Sequence, residues 1–161
     1  MAFTADLVGV PADGAASERR GPDVLIAMRD GGIEALVGGT TNDVAPHLSP
    51  DGRVLAFGRS NAATAQGAFA SPASLNAASR HADLYVVGFA DGRVALAEPA
   101  MIATDVWPDA AWSPDGRLLA TKSFDWKELV LISLANHQVQ HFKAAGPDAR
   151  IGGLSWRPIP P

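Results

Sequence analysis

Cysteine is absent from this chain of 161 residues. That excludes disulfides, thiolate catalysis and cysteine-held zinc, and it removes redox chemistry as a guide to compartment. Charge is sparse, at 19% of residues, and the net charge is −4. Arg19-Arg20 is the one adjacent pair of lysines or arginines. Binding to phosphates needs a basic face, so nucleic acid is excluded as a partner. Long hydrophobic runs are missing too. The longest uncharged stretch, 60–79, could cross a bilayer by length, but it is full of Ser, Asn, Gln and Ala. It reads as a loop, and no membrane insertion is expected. The first basic residue is Arg19, so the start does not read as a signal peptide. The compartment stays unknown. It is cytoplasmic if this is the whole chain, and periplasmic or extracellular if an upstream signal peptide has been lost.

Catalytic motifs are missing as well. There is no Gly-x-Ser-x-Gly elbow; the nearest string, Gly153-Leu154-Ser155-Trp156-Arg157, lacks the last glycine. There is no His-Glu-x-x-His pair. His47, His81, His137 and His141 are scattered. The spacing of His137 and His141 falls in a hairpin, where residues four apart do not share a helical face. No catalytic residue, metal or cofactor is expected.

What is present is repetition. With 47% apolar residues the chain can bury a core. Asp23-Val24-Leu25-Ile26-Ala27-Met28 returns as Asp83-Leu84-Tyr85-Val86-Val87-Gly88 and as Glu128-Leu129-Val130-Leu131-Ile132-Ser133, at offsets of 60 and 45 residues. Ser49-Pro50-Asp51-Gly52-Arg53-Val54-Leu55-Ala56 returns as Ser113-Pro114-Asp115-Gly116-Arg117-Leu118-Leu119-Ala120, with a weaker copy at Ser155-Trp156-Arg157-Pro158. A repeat of about 40–45 residues built from short strands reads as a propeller blade.

The strands can be phased A to D, innermost to outermost. Strand A is Val44 to Leu48 and Asp109 to Trp112. Strand B is Val54 to Arg59 and Leu118 to Ser123. Strand C is the repeated acidic-apolar segment. Strand D is Gly32 to Val37, Arg93 to Ala97 and Gln138 to Phe142. Pro50, Asp51, Gly52 and Pro114, Asp115, Gly116 form the A–B turns. Proline presets the turn, the aspartate caps it, and glycine takes the left-handed conformation. As repeat equivalents, Asp51 and Asp115 are structural and not a catalytic pair. Met1 to Thr4 matches strand B, and Leu154 to Trp156 matches strand A.

The expected fold is therefore all-β: three four-stranded antiparallel blades, half of a six-bladed propeller, with one blade split between the termini. Residues 1–40 carry strands B to D of the first blade and 41–99 the second, with a long B–C insertion at 60–82. Residues 100–145 carry the third, and 146–161 the last strand A. The first B–C insertion spans Asp6 to Pro22. In the second, Ser71-Pro72 reads as the start of a short helix.

Pro46-His47-Leu48-Ser49-Pro50-Asp51-Gly52-Arg53-Val54-Leu55-Ala56-Phe57, and the tryptophan of Trp112-Ser113-Pro114-Asp115-Gly116, resemble the WD40-like (PD40) repeats of TolB-type six-bladed β-propellers. The resemblance covers nearly the whole chain apart from the two insertions. It implies a bacterial propeller, and such repeats serve protein binding, peptidase gating and some sugar-lyase chemistry. A ring of that family needs about twice as many blades as this chain supplies. In its metal-dependent lyases several histidines surround a central metal, and only His47, on an inner strand, stands where one would be.

Length varies at one end of the blades, and loops on a rigid frame are where binding resides. The expected function is a non-enzymatic scaffold that binds a protein or other ligand through the long-loop face. Its candidate residues are Trp107, Trp126, Arg80 and His81. Core packing is the competing role for the two tryptophans. The alternative function is a piece of a longer propeller protein, either a peptidase gate or a polyuronide-lyase-like enzyme. A homodimer closing a six-bladed ring is the expected assembly, with a truncated longer propeller as its rival.

Overall fold

A computed structural model describes residues 6–7, 23–27, 33–37, 42–60, 82–90, 93–94 and 98–156. Among them every regular element is a β-strand, and the strands form three antiparallel sheets. The first holds β1 (Asp6–Leu7), β2 (Asp23–Ala27) and β3 (Ile33–Val37), in that order. The second runs β4 (Asn42–Leu48), β5 (Val54–Ser60) and β6 (Ala82–Ala90). The far edge of β6 is shared by β7 (Arg93–Val94) and β8 (Ala100–Val106). The third meanders through β9 (Ala111–Trp112), β10 (Leu118–Lys122), β11 (Glu128–Ser133) and β12 (Val139–Lys143).

Three strands depart from the sequence reading. Of the outer strand expected at Arg93 to Ala97 the described part is Arg93–Val94, residues 95–97 lying outside the described ones, and a further strand, unexpected, pairs with β6 from Ala100. Pro99 has no N–H to give to a ladder, so it stands just before that strand. The strand beside β2 is Asp6–Leu7, where the first insertion was expected to begin; residues 1–5 lie outside the described ones. Leu154 to Trp156 is not a strand. An extended segment is a strand only when a neighbour takes its backbone hydrogen bonds, and among the described residues none does. The short helix read at Ser71-Pro72 lies outside the described residues.

Strand alternation sends neighbours to opposite faces. In β6, Leu84 and Val86 enter one core, and Val87 enters another with Tyr85 packed against it. The larger core fills the seam between the second and third sheets: Ala56, Leu84, Val86, Ile102 and Val106 meet Leu119, Val130 and Ile132. The smaller core, Leu55, Phe57 and Val87, occupies the opposite face of the second sheet.

The turns explain the repeated tetrapeptide. Gly52 and Gly116 hold φ of 71° and 70°. The hydroxyl of Ser113 donates to Asp115 Oδ1 at 2.6 Å and accepts from the N–H of Leu118 at 2.9 Å; Ser49 does the same with Asp51 and Val54. The serine hydroxyl, and the N–H groups of Arg53 and Arg117 after it, hold the Asp51 and Asp115 carboxyls below the ordinary aspartate value of 3.8. Asp125 is lowered in the same way, by Ser123 and then by the N–H of Lys127.

A folded pKa below the unfolded one means the carboxylates stabilise the fold above the unfolded value. That contribution is lost as pH falls through the lower folded values. Replacing all three aspartates by Asn is expected to flatten the loss of stability below about pH 4, read by urea denaturation at stepped pH. An unchanged acid limb would show that the turns do not couple to folding.

Candidate functional site

The third sheet contains a turn of the same build, between β10 and β11. Ser123 Oγ donates to Asp125 Oδ1 at 2.6 Å, and it accepts from the N–H of Glu128 at 3.0 Å. The N–H of Trp126 donates to the carbonyl of Ser123, as those of Gly52 and Gly116 do to Ser49 and Ser113. Trp126 therefore occupies the glycine position, with φ of 64°. A left-handed conformation costs a side-chain-bearing residue about 1–2 kcal/mol, and such strain collects at ligand sites.

Trp126 is held from two directions. The indole of Trp107 meets it edge to face, with centroids 5.2 Å apart. Lys122 Nζ lies 4.4 Å from the Trp126 ring and 5.1 Å from that of Trp107, within range of both π-faces. Backbone bonds fix the frame: the N–H of Trp107 donates to the carbonyl of Lys122, and the N–H of Ile151 to that of Trp126. Arg150 Nη1 donates to the Asp125 carbonyl at 3.0 Å. Both tryptophans and Lys122 are half-buried, so each keeps a face to solvent.

The cluster lies beside the start of β6. Ala82, the first residue of β6, pairs with Val106, which precedes Trp107. The structure thus brings together Trp107 and Trp126, two of the four expected binding residues. Arg80 and His81 lie outside the described residues. Lys122 was missed by the sequence reading. The glycine-like position of Trp126 did have a signal: the spacing Ser123-x-Asp125-x-Lys127 matches Ser-x-Asp-x-Arg of the other two turns.

Beside Lys122 is a recess of about 30 Å³ lined by Asp109, Gly152 and Leu154 among others, room for one water molecule. That is too small for a sugar ring. Among the described residues no three of His, Asp and Glu gather as a metal site. His47, on the innermost strand β4, has Nε2 2.9 Å from Asp109 Oδ1, off the N–H direction, so the contact is not a hydrogen bond. His141 Nδ1 meets Glu128 Oε2 at 2.8 Å on the outer strands, and His137 is in the β11–β12 turn with φ of 54°. Among the described residues no helix is long and apolar enough to cross a membrane.

The repeat tryptophans do something else. Trp112 Nε1 donates to the carbonyl of His47 at 3.0 Å, and Trp156 Nε1 to that of Ala111 at 2.9 Å. Each indole ties one innermost segment to the one before it.

No protein-family model matches the chain. No curated protein matches it. Among solved structures it is similar to TolB from Acinetobacter baumannii, at 16% identity and a TM-score of 0.53. The match covers 87% of this chain and 29% of that one, so this chain spans less than a third of the TolB chain. The similarity is one of fold: a chain of antiparallel sheets with a propeller-like arrangement.

Proposed function

We propose that this chain is a non-enzymatic β-propeller scaffold, its three sheets acting as blades. In this reading it binds a protein partner through the end that carries Trp107, Lys122 and Trp126. The observation that carries the reading is Trp126 at a position its two sister turns give to glycine. A bulky residue there opposes the turn, and its return is an aromatic pair with a cation over both rings. Tryptophan is among the residues most enriched at binding hot spots, and both indoles here keep a face to solvent.

The span of the TolB match supports one alternative, that the same blades serve within a longer propeller protein. The binding end would be the same.

Trp126→Gly separates binding from folding. Relief of the left-handed strain offsets the loss of the aromatic pair, worth about 0.5–1.5 kcal/mol, so stability is expected to stay within about 1 kcal/mol of the parent. Immobilised parent chain is expected to retain a protein from the source lysate that the equally folded variant does not. Identical retention by both would reject this site. Turnover of a peptide, ester or polyuronide that is lost in His47→Ala would reject the scaffold itself.

A further inference from the structure

The second and third sheets each hold a cation over two aromatic rings, near the end of the strand that follows the Ser-Pro-Asp-Gly turn. In the second sheet Arg59 lies over Phe57 and Tyr85, with ring centres 5.3 and 5.0 Å away. In the third Lys122 lies over Trp107 and Trp126. The two sets differ in the acid. Asp43 holds Arg59 through both carboxylate oxygens, at 2.7 and 3.0 Å. Counted back from Ser49 and Ser113, the place of Asp43 is taken in the third sheet by Trp107. An indole stands where the sister sheet has its carboxylate.

Among the described residues Lys122 has no acidic partner. Its ammonium meets the two ring faces and, at 3.5 Å, the carbonyl of Gly152, which is the outer limit of a hydrogen bond. An ammonium has three donors, and ring faces attract its charge without using them in full. The two nearby acids are turned elsewhere. Asp125 Oδ1 accepts from Ser123 Oγ and from the N–H of Lys127, and Asp109 Oδ1 lies 2.9 Å from His47 Nε2. The stretch 61–81, which precedes β6, contains no Asp or Glu. The repeat also makes room here. Gly58 is closed off by Pro108, whereas Lys122 and Gly152 stand in their places. The recess of about 30 Å³ lies there, lined by 109–111 and 152–154 with Lys122, and it admits one oxygen-sized atom.

We infer that the partner supplies the missing acid. It sets one Asp or Glu side chain against Lys122, with an oxygen entering the recess and the residues beside it resting on the two indoles. The ligand is an acidic segment of a protein rather than a phosphorylated one. Asp109 also lines the recess and Asp125 caps the turn, so the site matches one negative charge, and a phosphate brings nearly two. The inference rests on the reading of Trp107 and Trp126 as a binding surface, and it adds to that reading what the partner must carry.

Random peptides displayed on phage, their C-termini fused so that side chains are the only carboxylates, are selected on the immobilised full chain. Binders that the Trp126→Gly chain no longer holds are kept. The expected result is that these share an Asp or Glu at one position, and that changing it to Asn or Gln weakens binding by about tenfold or more. Lys122→Met, which keeps the apolar stem, is expected to weaken the acidic peptide by the same factor and to leave its amide version unmoved. Lys122→Arg is expected to keep the preference for the acid. Binders that depend on Trp126 but are indifferent to the change from acid to amide would overturn the inference and leave the tryptophan site standing. Finding no binder that depends on Trp126 would reject the site, and the inference with it. If Lys122→Met fails to fold, the change from acid to amide measured on the parent chain still decides.

Discussion

Asp43→Asn is expected to destabilise the chain by about 3 kcal/mol, among the largest losses available to a single polar substitution here. Asp43 is the second residue of β4, with its side chain fully buried. Arg59, its cross-strand partner in β5, meets it through both arms: Nε to Oδ1 at 2.7 Å and Nη2 to Oδ2 at 3.0 Å. The guanidinium also lies over the rings of Phe57 and Tyr85, at 5.3 and 5.0 Å. The carboxylate holds the arginine above its ordinary pKa, so the guanidinium stays charged. Removing one member leaves a largely desolvated charge without its partner, which costs far more than the net worth of the pair. Replacing both, as Asp43→Leu with Arg59→Met, is expected to recover most of the loss, because no orphan charge remains. Denaturant unfolding of the two single variants and the double variant measures this. A double variant as unstable as Asp43→Asn would mean that shape and not charge governs the site.

Gly58→Ala is expected to cost about 2 kcal/mol, and Gly58→Val more. The backbone of Gly58 is not left-handed, so the cost is steric. A Cβ there would collide with Pro108 Cβ and lie 3.1 Å from Pro108 Cα and 3.3 Å from Ala82 Cβ. Both Gly58 and Pro108 are buried, and the second and third sheets approach each other at this point. The next repeat inverts the sizes: Lys122 stands where Gly58 does, and Gly152, whose carbonyl accepts from Lys122 Nζ at 3.5 Å, stands where Pro108 does. Pro108 follows Trp107, so a shift of the proline is expected to disturb the indole pair as well. Tryptophan fluorescence and thermal unfolding of Gly58→Ala check both effects. An unchanged midpoint with an unchanged spectrum would show that Pro108 yields freely.

The repeated turns and the acidic-apolar strands were legible because they depend on local chemistry. Proline, aspartate and glycine at fixed spacing dictate the turn before any packing occurs. Strand ends were less legible. Ala100–Val106, beyond Pro99, also pairs with β6, and no local signal said that it would. Trp107 and Trp126 were visible as tryptophans outside the tetrapeptide repeat. That they touch was not, because the contact joins a segment after β8 to a turn after β10.

By itself the sequence determined the all-β class, the strand order of the third sheet and the chemistry of the turns, since periodicity and turn residues act over a few positions. Only the tertiary structure decided that Lys122 lies over both indoles. It alone showed that Trp126 holds a glycine's conformation and that Arg59 has a buried carboxylate. Those facts depend on side chains many residues apart meeting across a sheet or a seam, and the depth of that meeting is set by the packing of whole sheets.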